Sequence, residues 1–424
     1  MAATNAFSEL RPPLDDDAAL LEADRCLFCS GPYAPPPCAT ACPAGVDVPR
    51  FLREIADGRP IAAANTIFEE NLLGATCARV CPVEVLCQAA CVLLHDGQPP
   101  VEIARLQRYA TDAALAAGGP LRRPAVRNGR RVAVVGAGPA GLACAGELAA
   151  RGFDVVVYDD HEEIGGTVRT AIAPYRQSVD PLPAERVALT RLGVTFELGI
   201  AIRTQERLRE LADRCDAVFV GVGLGADRPL GCPGEKLAGV WPSLDFIAAL
   251  KHGYPPAVGD RVVVIGGGNT AIDVAREATR LGARHVTLAY RRTRDLMPAY
   301  AFEVKEAEQE GVTFEWLAAP VELTGDACVE HAVFERQRLG RPGLDGRPAV
   351  EPTGGRFVLA ADTVVVAIGQ LERGGFAGWV EAERARGAVV EAGGDAVNGG
   401  ASVVQAVAEG KRAARAIEEA LCAS

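Results

Sequence analysis

Two stretches constrain this chain more than any others. RVAVVGAGPAGLACAGELAARGFDVVVYDD starts at Arg131, and RVVVIGGGNTAIDVAREATRLGARHVTLAYRR starts at Arg261, about 130 residues later. Each reads as a β-branched strand, a glycine turn, a helix and a second strand, which is a βαβ unit. Two such units imply two dinucleotide sites, or one site and a structural copy.

In the first unit, Gly136, Gly138 and Gly141 of GAGPAG have separate roles. The first allows the tight turn, the second lets a pyrophosphate approach the backbone, and the third lets helix and strand pack closely. Pro139 falls just inside the helix start, where its missing N–H costs nothing, and the helix N-terminus faces the phosphates. Asp159 ends the second strand, where a carboxylate can accept both ribose hydroxyls. In the second unit, Gly266, Gly268 and Ala271 give GxGxxA, and the strand ends Tyr290-Arg291-Arg292 with no carboxylate in the place of Asp159. Arginine there can pair bidentately with a 2′-phosphate, which favours NADPH over NADH. A solvated basic turn is the competing interpretation, and Arg294 is a third candidate in the same segment.

Eight of the thirteen cysteines lie between Cys26 and Cys91. Cys26 and Cys29 form a C-x2-C, Cys38 follows, and Cys42 stands directly before Pro43. GATCARVCPVEVLCQAAC then supplies Cys77, Cys81, Cys87 and Cys91, with Pro82 after Cys81. Cysteines ending in Cys-Pro are a ferredoxin habit. Structural zinc is the alternative, but it usually shows paired C-x2-C knuckles and only one is present. The spacing favours [4Fe-4S] clusters. Cys144, Cys215, Cys232, Cys328 and Cys422 read as small buried or incidental residues.

Composition bounds the rest. The 424 residues suffice for two or three domains, and a formal charge of −11 argues against a nucleic-acid surface. No run of eighteen apolar residues spans a membrane, and the acidic N-terminal stretch is unlike an export signal. A cytoplasmic protein is expected, and in a reducing compartment clustered thiols hold a ligand rather than disulfides.

Helical periodicity in VPRFLREIADG, PIAAANTIFEEN and VEIARLQRYATDAALAA marks residues 1–120 as an α-helical iron–sulfur domain, closed by a Gly-Gly-Pro linker. The division expected for the rest is 121–250 as the first part of an FAD-binding domain, 251–355 as an NAD(P)H-binding domain, and 356–424 as the second FAD part, from DTVVVAIGQ through GGDAVNGGASVV to a final helix, as the family resemblance carried by the residues below implies. The fold class expected is α+β multidomain, with two Rossmann-like α/β domains after the helical one and the FAD domain discontinuous. Nucleotide sites beside iron–sulfur ligands suggest one electron route: a nicotinamide gives hydride, a flavin takes two electrons, and clusters pass them on singly.

Nearly the whole chain resembles the glutamate synthase small-subunit group, and within it the electron-input subunit of bacterial dihydropyrimidine dehydrogenase. The residues that carry the likeness are RCLFC, CATACP, ENLLGATCARVCPVEVLCQAAC, IARLQRYATD, GAGPAGL, IGGTVRTAIAPYR, GGGNTAID, YRRTRDLMP and GGDAVNGGASVVQAVAEGKRAA. The resemblance implies an adrenodoxin-reductase-like pair of nucleotide domains. It also implies one cluster on Cys26, Cys29, Cys38 and Cys91 and another on Cys42, Cys81, Cys87 and the amide of Gln107, leaving Cys77 spare. It places FAD along Gly136, Ala137, Gly138, Pro139, Ala140 and Gly141, at Asp159, Gly165, Gly166, Thr167 and Arg176, and at Gly394, Asp395 and Ala401. NADPH or NADH would meet Gly266, Gly267, Gly268, Asn269, Thr270, Arg291, Arg292, Arg294, and the turn Ala367, Ile368, Gly369.

Two departures from that group stand out. Eight residues separate Cys29 from Cys38 where about four are usual, so the loop must bulge, and the segment before Gly394 is short. The implied activity is NAD(P)H oxidation for a partner, an FMN-containing dihydropyrimidine dehydrogenase subunit that reduces uracil or thymine, or else a glutamate synthase large subunit, in a hetero-oligomer. A disulfide reductase would need a CxxC in a nucleotide domain, and none follows residue 120. A redox sensor without turnover would have no use for a hydride donor. No catalytic acid or base is identified.

Overall fold

The computed structural model describes residues 7–29, 35–118, 122–178, 180–343 and 346–422. No helix among them is long and apolar enough to cross a membrane. Contacts divide the chain into two compact units. The larger comprises Glu9–Arg169, Val179–Leu224 and Glu372–Ser424, and the smaller Met1–Ser8, Thr170–Ser178 and Gly225–Leu371.

The larger unit begins with helices, the main ones at Asp16–Asp24, Val48–Ala56, Pro60–Glu70, Gly74–Val80 and Ile103–Ala116. Asp47 caps the second of these, its carboxylate accepting from the Arg50 amide at 3.2 Å. Phe51, Leu52 and Ile55 recur at the helical period and are buried, as are Ile67, Phe68 and Leu106 on neighbouring helices. The helical expectation for this region therefore holds.

After these helices comes a five-stranded parallel sheet ordered Val390–Ala392, Ala217–Val220, Arg131–Val135, Asp154–Asp159, Thr195–Leu198. The strand before the first glycine turn lies at its centre, and buried Ala133, Val135, Val218 and Val220 pack one face against Phe376 and Val380. The short segment before Gly394 still forms a strand, Val390–Ala392, registered on Val218–Val220.

The smaller unit repeats the plan. Its parallel sheet runs Val240–Pro242, Thr363–Ala367, Arg261–Gly266, His285–Tyr290, Thr313–Trp316, again with the glycine-turn strand central. A three-stranded antiparallel sheet, Ala318–Thr324, His331–Pro342 and Pro348–Ala360, is added to it. Because Val240–Pro242 and Thr363–Ala367 are strands of this sheet, the unit extends beyond the 251–355 span drawn from sequence. Most of the Cys29–Cys38 loop, residues 30–34, and linker residues 119–121 lie outside the described residues.

Candidate nucleotide and iron–sulfur sites

The first glycine turn is tight because backbone fills the space around it. Gly136 has φ +108°, and a Cβ there would sit 2.4 Å from the Gly221 carbonyl oxygen. At Gly141 a Cβ would come within 1.8 Å of the Gly136 carbonyl oxygen, whereas Gly138 faces open space. Gly138 is the N-cap of Pro139–Ala150, with Pro139 in its first turn. Asp159 braces the turn: one carboxylate oxygen accepts from the Ala137 amide at 2.6 Å and the other from the His161 amide at 2.9 Å. The Gly165 amide donates to the Ala137 carbonyl at 2.8 Å, and a Cβ on Gly166 would lie 3.1 Å from the Gly138 Cα. Gly394 joins the same cradle, since a Cβ there would lie 2.9 Å from the Ala140 Cβ. Asp395 accepts from the Ala401 amide at 3.2 Å, and burial pushes its carboxyl up. One group of backbone amides and glycines thus unites most of the residues assigned to FAD.

Arg176 is not among them. It belongs to the smaller unit, where its guanidinium donates twice to one Asp273 oxygen at 2.9 and 2.7 Å and meets Glu303 at 2.8 Å. Tyr175 beside it is fully buried and donates to the same Asp273 oxygen at 2.5 Å. Burial raises the Glu303 carboxyl to about 7 against the opposing pull of Arg176.

The second glycine turn uses the same geometry with different neighbours. A Cβ on Gly266 would meet the Ala367 carbonyl oxygen at 2.1 Å, and one on Gly267 would enter the Tyr290 ring at 2.4 Å. Gly268 caps Asn269–Arg280, and the Asn269 side chain accepts from the Tyr300 amide at 2.9 Å. The Gly369 carbonyl takes the Arg228 amide at 2.8 Å. Of the three arginines, Arg294 is bound to both oxygens of Glu308 at 2.6 and 2.8 Å, and Arg292 donates to the Pro348 carbonyl at 3.3 Å. Arg291 is exposed and has no ion-pair partner among the described residues.

The cysteines fall into two groups. Cys26, Cys29, Cys38 and Cys91 line one apolar pocket with Pro37, Pro49, Leu52, Leu93 and Ile103. The Phe28 amide donates to the Cys26 sulfur at 3.4 Å. The second group is Cys42, Cys77, Cys81 and Cys87. Contact with the Cys77 thiol, burial, and the sulfurs of Cys77, Cys87 and Cys42 hold the Cys81 pKa well above the usual thiol range. Burial pushes Cys38 and Cys87 up to about 12. Thiols held this way become thiolates only beside a cation, which suits converging sulfurs that ligate metal. Gln107 donates from Nε2 to the Gly74 carbonyl at 2.8 Å, one helical turn before Cys77. Cys77, which sequence left spare, is 2% exposed and in contact with the second group.

Two buried polar contacts within the larger unit tie the cysteine region to the flavin half. Glu185 accepts from the Thr76 amide at 2.9 Å and from its hydroxyl at 2.6 Å, and burial raises this carboxyl to about 7. Lys411 donates to the Ala44 and Glu70 carbonyls at 2.7 and 2.6 Å and to the Glu70 carboxylate at 2.7 Å. Neither contact is among the sequence expectations. For Lys411 the signal was present: it falls on the apolar stripe Val404, Val407, Ala414, Ile417, Leu421 of its helix.

Two parallel sheets with glycine turns and two cysteine groups define a flavin- and nicotinamide-dependent iron–sulfur oxidoreductase. Comparison with known proteins agrees. Residues 3–118 match the family described as dihydropyrimidine dehydrogenase domain II, 4Fe-4S cluster, and residues 130–410 match pyridine nucleotide-disulphide oxidoreductase. The glutamate synthase [NADPH] small chain of Halomonas elongata is 37% identical over 97% of this chain and 92% of its own length. The NAD-dependent dihydropyrimidine dehydrogenase subunit PreT of Escherichia coli is 33% identical over 99% of this chain and 98% of its own. The structure of Mycobacterium tuberculosis FprA in complex with NADPH matches with TM-score 0.59 and 21% identity, over 69% of this chain and 85% of that one, which supports the fold. The chain belongs to the pyridine nucleotide-disulphide oxidoreductase family, in the iron–sulfur group that includes glutamate synthase small chains and PreT. Its cofactors are FAD, [4Fe-4S] clusters and NAD(P)H.

Proposed function

We propose that this chain is the electron-input subunit of a two-component enzyme, oxidising NADPH and delivering electrons to a separate catalytic subunit. The observation that carries the reading is that one compact unit contains both cysteine groups and the first glycine turn, joined by buried contacts from Lys411 and Glu185. Bound there, a flavin converts a two-electron donor into a source of single electrons. The chain's own residues bind and orient: the amides at Gly136–Gly141 receive the pyrophosphate, Asp159 braces the turn, and Arg291 with Arg292 is offered to a 2′-phosphate. Thiolate ligands suit a reducing compartment, the cytoplasm. Anaerobic NADPH is expected to bleach the flavin absorbance, and a flavin that stays oxidised in excess NADPH and NADH would refute the reading.

For the acceptor we favour an FMN-containing dihydropyrimidine dehydrogenase subunit, on the Cys81-Pro82-x4-Cys87 spacing and the glutamine of LQRY. A glutamate synthase large subunit is the second reading, favoured by the higher identity of the small chains. Co-purification from the native source decides between them: the partner should support NADPH-dependent reduction of uracil in the first case and glutamate formation in the second.

The ligand sets proposed are Cys26, Cys29, Cys38 and Cys91 for the first cluster, and Cys42, Cys81, Cys87 and Gln107 for the second. Cys77→Ser should then retain about eight irons per chain, the content of two cubanes, while Cys87→Ser loses part of them. Equal losses in both variants would put Cys77, already in contact with Cys81, in place of Gln107.

A further inference from the structure

Lysine is rarely buried without a partner that compels it. The side chain of Lys411 is 8% exposed and extends from the apolar face of Val403–Cys422. All three ammonium protons have acceptors: the Ala44 carbonyl at 2.7 Å, the Glu70 carbonyl at 2.6 Å and the Glu70 carboxylate at 2.7 Å. The Glu70 carboxylate is 43% exposed, so solvent screens its charge more than that of the buried ammonium.

Ala44 stands two residues after Cys42, in a turn closed by the Gly45 amide on the Cys42 carbonyl at 3.0 Å, with Gly45 at φ +77°. The amides of Val46, Ala44 and Gly45 lie near the Cys42 sulfur and favour its thiolate. The Ala44 carbonyl and the Gly45 N–H belong to one peptide group. Lys411 therefore pulls electron density from the oxygen end of the same peptide whose N–H donates to the Cys42 carbonyl, and hydrogen bonds in such a chain strengthen one another. Cluster potentials respond to local charge and to hydrogen bonds on the ligating sulfurs.

We propose that Lys411 is a positioning residue of the second cluster: it fixes the Cys42–Val46 turn and, by its positive charge, raises that cluster's reduction potential so that it accepts electrons arriving from the flavin half. The proposal rests on the reading of Cys42 as a cluster ligand.

The test uses the full-length, cofactor-loaded protein, with iron and flavin content measured beside an EPR-monitored redox titration of both clusters. Lys411→Met should shift the reduction equilibrium of one cluster about tenfold toward the oxidised state, about 59 mV for a one-electron couple, and leave the other cluster and the flavin content unchanged. Lys411→Arg, which keeps the charge, should restore most of the shift. Wild-type potentials for both clusters in Lys411→Met would overturn the proposal. If that variant loses iron, Lys411→Gln, which keeps hydrogen-bond donors without charge, supplies the measurement. Full iron with a lowered potential supports the proposal, and full iron with an unchanged potential overturns it. If Lys411→Gln also loses iron, retention by Lys411→Arg supports the need for charge, and loss in all three variants overturns it. A wild-type protein without iron would refute the cluster reading itself, an outcome distinct from any of these.

Discussion

The two glycine turns share a plan and differ at every place where a ligand would be recognised. In both, the first glycine abuts the carbonyl ending a neighbouring strand, Gly221 for Gly136 and Ala367 for Gly266. At the third position they part. Gly141 is pressed against the Gly136 carbonyl, with no room for a methyl group, while the second turn carries Ala271, which is fully buried. At the end of the second strand the first turn has Asp159, accepting from the Ala137 amide, and the second has Tyr290, whose ring occupies the space over Gly267. On the proposed reading the same backbone device receives a pyrophosphate in either case, and the residues around it decide what hangs from that pyrophosphate.

The largest expected effect comes from moving the third position of one turn into the other. Gly141→Ala places a Cβ 1.8 Å from a backbone oxygen, so the helix must shift. Overpacking of this kind costs about 1–3 kcal/mol or more, and the purified protein should have lost most of its flavin and show a lowered Tm. The reciprocal Ala271→Gly should cost only about 1 kcal/mol of helix propensity and retain NADPH binding. Flavin content at the wild-type level in Gly141→Ala would remove the packing distinction.

Arg291→Ala should raise the KM for NADPH about tenfold, the worth of a charge-assisted contact, with the KM for NADH little changed. Arg294→Ala should do much less, because Glu308 already occupies its guanidinium. An unaltered cofactor preference in Arg291→Ala would take the arginines out of the recognition argument. The smallest effect is expected from Asp159→Asn, which keeps an acceptor for the Ala137 amide but discards the charge. A loss of about 1 kcal/mol in FAD affinity, read by flavin titration of the apoprotein, is expected, and a larger one would mean that the carboxylate carries most of the ribose recognition.

Much of this was legible in the residues. Period-2 and period-3.6 patterns placed both βαβ units and the iron–sulfur helices, and the grouping of Cys26, Cys29, Cys38 and Cys91 around one cavity follows the resemblance. Arg176, assigned to FAD by the resemblance, pairs with Asp273 and Glu303, 97 and 127 positions further along, partners that no local pattern could supply. The edge strand Val240–Pro242 is three residues long and is defined only by its pairing with Val364–Val366. The antiparallel sheet at 318–360 has register shifts between Pro320 and Glu322 and again in the Glu335–Pro342 stretch, which break the alternation that would have revealed it. Lys411 shows a different failure. Its place on an apolar stripe was visible, but only the fold shows that Ala44 receives its charge.

The segment Thr170–Ser178 has a consequence for anyone dividing the gene. Nine residues from the interior of the flavin half fold with Gly225–Leu371, and they bring the fully buried Tyr175 ring under Arg280, 4.2 Å from the ring centroid, and Arg276, at 4.9 Å. A plasmid encoding 225–371 alone would omit that plug and leave two arginines and the Asp273 carboxylate facing a hole, so a soluble nicotinamide module has to carry the strap as a grafted insert. On the ribosome the order is reversed: the plug is made first and waits, unpaired, for the pocket that will take it.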